Sequence, residues 1–254
     1  MLEEALHVRA VNMPPGLPKR RVVFAWDMHY SCNFRCPYCF YTTAGWTELA
    51  QRNMYKTPEE WGAIWKRIYG KYDRCQLRVT AGEPFTYPDF VEVVAEVSKW
   101  HDVQITTNCS YTEQMKKFVY GVDPKEVELD CTFHPLQGNF ETFVNNVLLL
   151  RHNKFTANVC YLAYPPQMPQ MGEYKKKFTE RGIYMNMAIF WGRYKDNDYP
   201  FAYTEEEKKW IKEVIGYEVG PETVNLDPLP INGKICGAGQ RYAVIHANGK
   251  VYRC

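Results

Sequence analysis

The sequence predicts an α/β fold: a partial (β/α)6 barrel of the TIM type with a small C-terminal β-hairpin. Three observations predict it. Short β-rich runs alternate six times with amphipathic runs. Two of the amphipathic runs open on capping boxes, Thr57-Pro58-Glu59-Glu60 and Thr204-Glu205-Glu206-Glu207. Polar and unusual residues collect just after the predicted strands, where parallel α/β folds bind ligands.

The first predicted strand covers residues 22–28. A long loop follows, then a helix with Pro58 at its first position and Trp61, Ile64, Trp65 and Ile68 at helical spacing. The two tryptophans are expected in the core. The second strand is 77–80, and Phe90, Val93, Val94 and Val97 share one face of its helix. The third strand is 103–107, with a short helix expected to end at Gly121 as its C′ residue. The fourth strand is 127–133, followed by a helix carrying Phe140, Phe143, Val147 and Leu148. The fifth strand is 156–162, with a helix around Tyr174 and Phe178 that stops at Gly182. The sixth is 183–189, and the last helix presents Trp210, Ile211, Val214 and Ile215.

Residues 1–20 hold three prolines and no clear period, and read as an N-terminal extension lying on the barrel. Residues 21–218 form the barrel unit. Pro221, Pro228 and Pro230 mark a linker into a last unit, 219–254. There, 243–252 alternates around Asn248-Gly249, a hairpin signal. Cys236 precedes this hairpin and Cys254 closes it, so the unit reads as cut short.

Composition narrows the function. The 254 residues carry 31 Lys+Arg against 29 Asp+Glu and are 46% apolar, which excludes intrinsic disorder. A net charge of +2 leaves no electrostatic footprint for nucleic acid, although a local basic rim can hide in a balanced total. No apolar stretch approaches the roughly 20 residues of a membrane helix. Met1-Leu2-Glu3-Glu4 lacks the start of a signal peptide, so the expected location is cytoplasmic. Nine cysteines cannot all pair, and Cys32, Cys36 and Cys39 crowd one loop. In a reducing compartment such a cluster reads as a metal site. Three thiolates on one loop suit a soft metal centre; iron–sulfur clusters normally take four cysteines, so three leave an iron open for chemistry. A structural zinc site with a distant fourth ligand is the plainer alternative.

The triplet Cys32, Cys36 and Cys39, with Tyr38 before the last cysteine, resembles the signature of the radical S-adenosylmethionine enzymes. The resemblance implies that these cysteines bind a [4Fe–4S] cluster. The open iron would chelate S-adenosylmethionine, whose reductive cleavage would give a 5′-deoxyadenosyl radical for hydrogen abstraction. Tyr38 matches the position that contacts the adenine. Ala81-Gly82-Glu83-Pro84 resembles the family's Gly-Gly-Glu-Pro, which meets the methionine amino group; Ala81 departs from the usual glycine. Thr106-Thr107-Asn108 resembles Thr-Asn-Gly, with Cys109 in the glycine's place. Thr132-Phe133-His134-Pro135 resembles a Ser-Phe-His-Pro stretch, in which Thr132 keeps the hydroxyl that reaches ribose or carboxylate. Taken alone, Asn108 also fits an Asx-turn, Thr132 an ordinary strand residue and His134 a structural histidine.

Cys236, Gly249 and Cys254 resemble the opening of the C-terminal module called SPASM, or the shorter twitch module. The resemblance implies that Cys236 and Cys254 help ligate an auxiliary iron–sulfur cluster. It also implies an electron donor such as a flavodoxin or ferredoxin, and a peptide, protein or small-molecule substrate. Cys75, Cys109, Cys131 and Cys160 are expected as small buried hydrophobes. Arg193, after the sixth strand, is expected either to bind an anion in the pocket or to form a surface salt bridge. The alternative function is a non-catalytic iron–sulfur electron carrier or metal-binding protein. Such a protein has no need for Gly82-Glu83-Pro84 beside its cluster.

Overall fold

The structure is a computed structural model describing residues 21–43, 45–216, 238–239 and 241–253. The N-terminal extension, most of the linker, Cys236 and Cys254 lie outside the described residues.

Six strands lie parallel and in chain order: β1 (Val23–Asp27), β2 (Gln76–Thr80), β3 (Asp102–Thr107), β4 (Val127–Phe133), β5 (Thr156–Leu162) and β6 (Met185–Ala188). The helices between them are α1 (Phe40–Thr43), α2 (Trp46–Ala50), α3 (Pro58–Tyr72), α4 (Phe90–Val97), α5 (Thr112–Gly121), α6 (Phe140–His152) and α7 (Met171–Glu180). After β6 come a two-stranded ribbon, β7 (Gly192–Tyr194) with β8 (Asn197–Tyr199), and α8 (Glu205–Ile215). The sheet is open: β6 forms one edge, and β1 pairs on its other side with β9 (Tyr242–Ile245), which pairs with β10 (Val251–Tyr252).

Strand alternation sets the core. Leu77, Val79, Ile105, Leu129 and Val159 are fully buried on the helix side. Trp26, Trp61 and Trp65 meet edge to face under α3, with Trp26 centroids 4.9 and 5.0 Å from the other two. Both predicted capping boxes form, at Thr57 with Glu60 and at Thr204 with Glu207. Phe90, Val93, Val94 and Val97 are all buried, as their spacing predicts.

Four readings change. Gly121 is not a C′ residue: it ends α5 in helical geometry, and the chain leaves through an extended Val122. A Cβ at Gly121 would stand 2.7 Å from Val91 Cγ1, so its smallness serves helix packing. The long loop after β1 carries two short helices, α1 and α2, and the stretch after β6 folds into the β7–β8 ribbon. The hairpin at Asn248-Gly249 forms, but β9 also joins β1 in parallel, so it extends the main sheet. Among the described residues no helix is long and apolar enough to cross a membrane.

Candidate functional site

The carboxyl ends of β1 to β4 surround a cavity of about 330 Å³. One wall is the loop after β1, with Cys32, Cys36, Tyr38 and Cys39; the facing walls bring Gly82 and Glu83, Asn108, and Thr132 with His134. Pro84 does not line it. It is buried behind the wall, where it starts the 3₁₀ turn Pro84–Thr86.

The cysteine loop is tied to each neighbouring loop. Gly82 N donates to His29 O and Glu83 N to Ser31 O, at 3.1 and 2.8 Å. Asn33 links it to the loop after β3, donating to Ser110 Oγ at 3.0 Å and accepting from Asn108 Nδ2 at 2.9 Å. Arg35 N donates to Gln137 Oε1 at 3.2 Å, and the Tyr38 hydroxyl meets His134 Nδ1 at 2.6 Å. The approach at Gly82 is tight: a Cβ there would stand 1.9 Å from Ser31 O, so only glycine fits. Both positions where the resemblance expects a glycine but another residue stands have left-handed backbone, Ala81 at φ 76° and Cys109 at φ 56°. Non-glycine residues adopt that region at a steric cost.

Glu83 is 2% exposed, and three donors hold its carboxylate. Thr107 Oγ1 and Phe85 N reach Oε1 at 2.7 and 3.1 Å, and Asn108 N reaches Oε2 at 2.7 Å. A carboxylate has about four acceptor positions, so these three donors leave one unused. Burial raises the Glu83 pKa to about 7. His29, 1% exposed, sits behind this loop with Nε2 2.9 Å from the Glu83 carbonyl. Nε2 therefore carries the proton, and buried Nδ1 has no partner. Desolvation lowers the His29 pKa to about 4.

Burial raises the Cys32 thiol and pushes Cys36 up to about 11; each is also disfavoured as a thiolate by the neighbouring sulfurs. A bound cation reverses that balance. Tyr38 packs between His134 and Tyr164, its ring centroid 5.8 and 4.8 Å from theirs. Asn108 does close an Asx-turn with Ser110 N at 3.1 Å, while its amide nitrogen spans to Asn33.

Cys75, Cys109 and Cys131 are fully buried, as expected, and Cys160 is half-buried on β5. Arg193 stands outside the cavity on β7, exposed and 3.6 Å from Asp196, which settles it as a surface pair. Sequence reasoning missed His29, Asn33, Ser110 and the Asn53 side chain that accepts from Tyr30 N at 2.7 Å. Only Asn33 carried a signal, by lying inside the cysteine motif.

A family profile described as the Radical SAM superfamily matches residues 27–164. Among curated proteins, the GTP 3′,8-cyclase of Microcystis aeruginosa is 30% identical over 117 residues, 42% of this chain and 35% of that protein. The GTP 3′,8-cyclase of a Cyanothece species is 28% identical over 101 residues, 39% of this chain and 30% of that one. The chain thus spans about a third of the length of these relatives. Among solved structures, anSMEcpe with bound AdoMet superposes with a TM-score of 0.64 at 16% identity, covering 92% of this chain and 71% of that one. Streptococcus suis SuiB bound to S-adenosylmethionine gives 0.64 at 14% identity, over 92% and 60%. These two likenesses show the same open-barrel fold. With the profile running from the last residue of β1 past the end of β5 and over every loop of the cavity, the chain belongs to the Radical SAM superfamily, enzymes that use a [4Fe–4S] cluster and S-adenosylmethionine.

Proposed function

We propose that this chain holds a [4Fe–4S] cluster on Cys32, Cys36 and Cys39 and binds S-adenosylmethionine against Tyr38, Gly82, Glu83, Asn108 and Thr132, with Pro84 shaping the turn behind them. One observation carries the reading: three thiols of one loop share a single cavity with residues from three other loops. The donor set suits the group. A four-iron cluster takes one thiolate per iron, so three cysteines of one loop serve three irons and leave the fourth for S-adenosylmethionine.

When bound, the reduced cluster supplies the electron that cleaves S-adenosylmethionine to a 5′-deoxyadenosyl radical, which abstracts hydrogen from substrate. The chain's own residues bind and orient. Glu83 offers its open acceptor position to an ammonium. Tyr38, wedged between His134 and Tyr164, offers a fixed ring edge. Asn33 and Asn108 hold the cysteine loop against the β3 loop.

The reading extends to a cytoplasmic enzyme reduced by a flavodoxin or ferredoxin. Residues 219–254 form a SPASM- or twitch-like unit, and Cys236 and Cys254 contribute to an auxiliary cluster. A peptide or protein is proposed as substrate, because anSMEcpe and SuiB were also solved with peptides. The test is anaerobic reconstitution of the chain with iron and sulfide, reduction, and an assay for 5′-deoxyadenosine after adding S-adenosylmethionine. Product formation is expected; an iron-loaded chain that makes none overturns the reading. About four irons per chain would remove the auxiliary cluster from it, and about eight would support it.

A further inference from the structure

The C-terminal hairpin reaches the rim of the cavity through one side chain, His246. β9 pairs with β1 in parallel, with Ile245 opposite Trp26, so His246 and Asp27 are the next neighbours along the pair. Phe24, Trp26 and Ile245 are buried on the helix side, and alternation puts Asp27 and His246 on the concave face. Thr80 of β2 stands opposite Asp27 on the same face. Hydrogen bonds join the row. His246 Nδ1 lies 3.0 Å from Asp27 Oδ2, and Thr80 Oγ1 donates to Asp27 Oδ1 at 3.0 Å. The Tyr30 hydroxyl lies 3.0 Å from the same His246 nitrogen. Thr80 and Tyr30 both line the cavity.

The proton positions follow from the groups present. Asp27 is buried, and among the described residues Thr80 and His246 are the side chains that bond its carboxylate. A carboxylate only accepts, so His246 Nδ1 carries the ring proton and donates it. Tyr30 Oη accepts from the same N–H. One nitrogen on the hairpin thus fixes an acid of β1 and a phenol of the cysteine loop. The hairpin itself is seated without it. The β9–β1 ladder holds one side, and the turn packs beside the start of α3, where a Cβ at Gly249 would stand 3.0 Å from Lys56 Cε and 3.2 Å from Ile64 Cδ1. What His246 adds is the orientation of Asp27 and Tyr30.

We infer that His246 is a positioning residue of the cofactor cavity: through Nδ1 the C-terminal hairpin sets the wall made by Tyr30 and Thr80, and with it the affinity for S-adenosylmethionine. The inference rests on reading that cavity as the S-adenosylmethionine site. Without the imidazole, Asp27 keeps one side-chain donor in place of two, which leaves a buried charge short of a partner. The Tyr30 hydroxyl loses its anchor at the same time, although its backbone N–H stays on Asn53 Oδ1 at 2.7 Å. The ring is then free to turn where it forms the wall.

The test measures S-adenosylmethionine binding to the cluster-loaded full chain by equilibrium dialysis without oxygen. H246A should keep its iron and bind about tenfold more weakly. H246N should recover most of the affinity, because its amide N–H stands as many bonds from the backbone as Nδ1–H. H246Q places that N–H one bond further out and should not recover it. Adding Y30F to H246A should cost little more, since both act through one nitrogen. Wild-type affinity in H246A overturns the inference. So does equal affinity in H246N and H246Q, and that pair carries the comparison if H246A loses its iron. Hydrogen–deuterium exchange of the same chain, cluster-loaded but without S-adenosylmethionine, reads the link directly. Residues 28–35 should exchange faster in H246A and recover in H246N; unchanged exchange overturns the link. A wild-type chain that binds no S-adenosylmethionine overturns the cofactor reading, and the exchange result then decides the hairpin link by itself.

Discussion

The two faces of the same six strands have opposite chemistry. The convex face, under the helices, is aliphatic and aromatic: Leu77, Val79, Ile105, Leu129 and Val159 are fully buried. The concave face presents Gln76, Gln104, Asp130 and Asn158, tied together by amide–amide and amide–carboxylate bonds. Adjacent residues on one strand thus serve different ends. The convex face removes apolar area from water and sets stability. The concave face and its upper rim keep polar groups in place for ligands, and two of the non-glycine residues with left-handed backbone, Ala81 and Cys109, lie on that rim.

If that division is right, rim substitutions should abolish chemistry with little change in stability, and convex substitutions should do the opposite. The largest effect is expected for Cys36→Ala. It should drop iron content and 5′-deoxyadenosine formation to background, while the urea midpoint of the cluster-free chain stays near wild type. Unchanged iron would remove Cys36 from the ligand set.

Trp61→Ala attacks the convex side. Trp61 is fully buried, packs against Trp26 and donates to Tyr87 Oη at 2.9 Å. A loss of about 3–5 kcal/mol is expected in chemical denaturation. A loss below about 1 kcal/mol would mean that the convex layer does not set stability.

His29 joins the two regions, because it is buried like core yet holds the rim loop. Its pKa is lowered from 6.5 to about 4 by desolvation. Between those values the unfolded chain binds a proton that the folded chain does not. Its contribution is therefore complete above about pH 6.5 and is lost as pH falls toward 4. The full swing is about 3 kcal/mol. The stability difference between wild type and His29→Gln, measured without cluster, should grow by that order from pH 4 to 7. A pH-independent difference would show that His29 is solvated.

Glu83→Ala should keep its iron but weaken S-adenosylmethionine binding about 10–100-fold, measured by equilibrium dialysis without oxygen. Equal affinity would confine Glu83 to its role as a bolt between the β2 and β3 loops. The smallest effect is expected for Ala81→Gly. Relief of the left-handed backbone is partly offset by greater freedom in the unfolded chain, leaving a gain of about 0.5–1 kcal/mol. A loss in thermal denaturation would show that the Ala81 methyl contributes packing that outweighs the strain.

Much of the fold was legible. The β4 and β5 bounds, Val127–Phe133 and Thr156–Leu162, coincide with the predicted runs. Both capping boxes were visible because a cap is read within four residues. The short helices α1 and α2 were not, since each is too brief to show a period. The β7–β8 ribbon turns at Lys195 and Asp196, both at positive φ, and lacks the glycine that announces such turns. Gly121 was misread because packing against Val91, rather than backbone conformation, requires its smallness.

By itself the sequence determined the order of strands and helices, the two faces of each strand and the cysteine triplet. All of these depend on residues near one another in the chain. Only the tertiary structure decided which polar residues meet. Asn33 and Asn108 are 75 positions apart, Tyr38 and His134 are 96 apart, and Asp27 and His246 are 219 apart. It also decided that β9 returns to β1 and carries β10 with it into the main sheet. Such contacts follow from how strands are ordered and registered in the sheet. Local propensity carries no record of that, because each pairing is stabilised by a partner the neighbouring residues never touch.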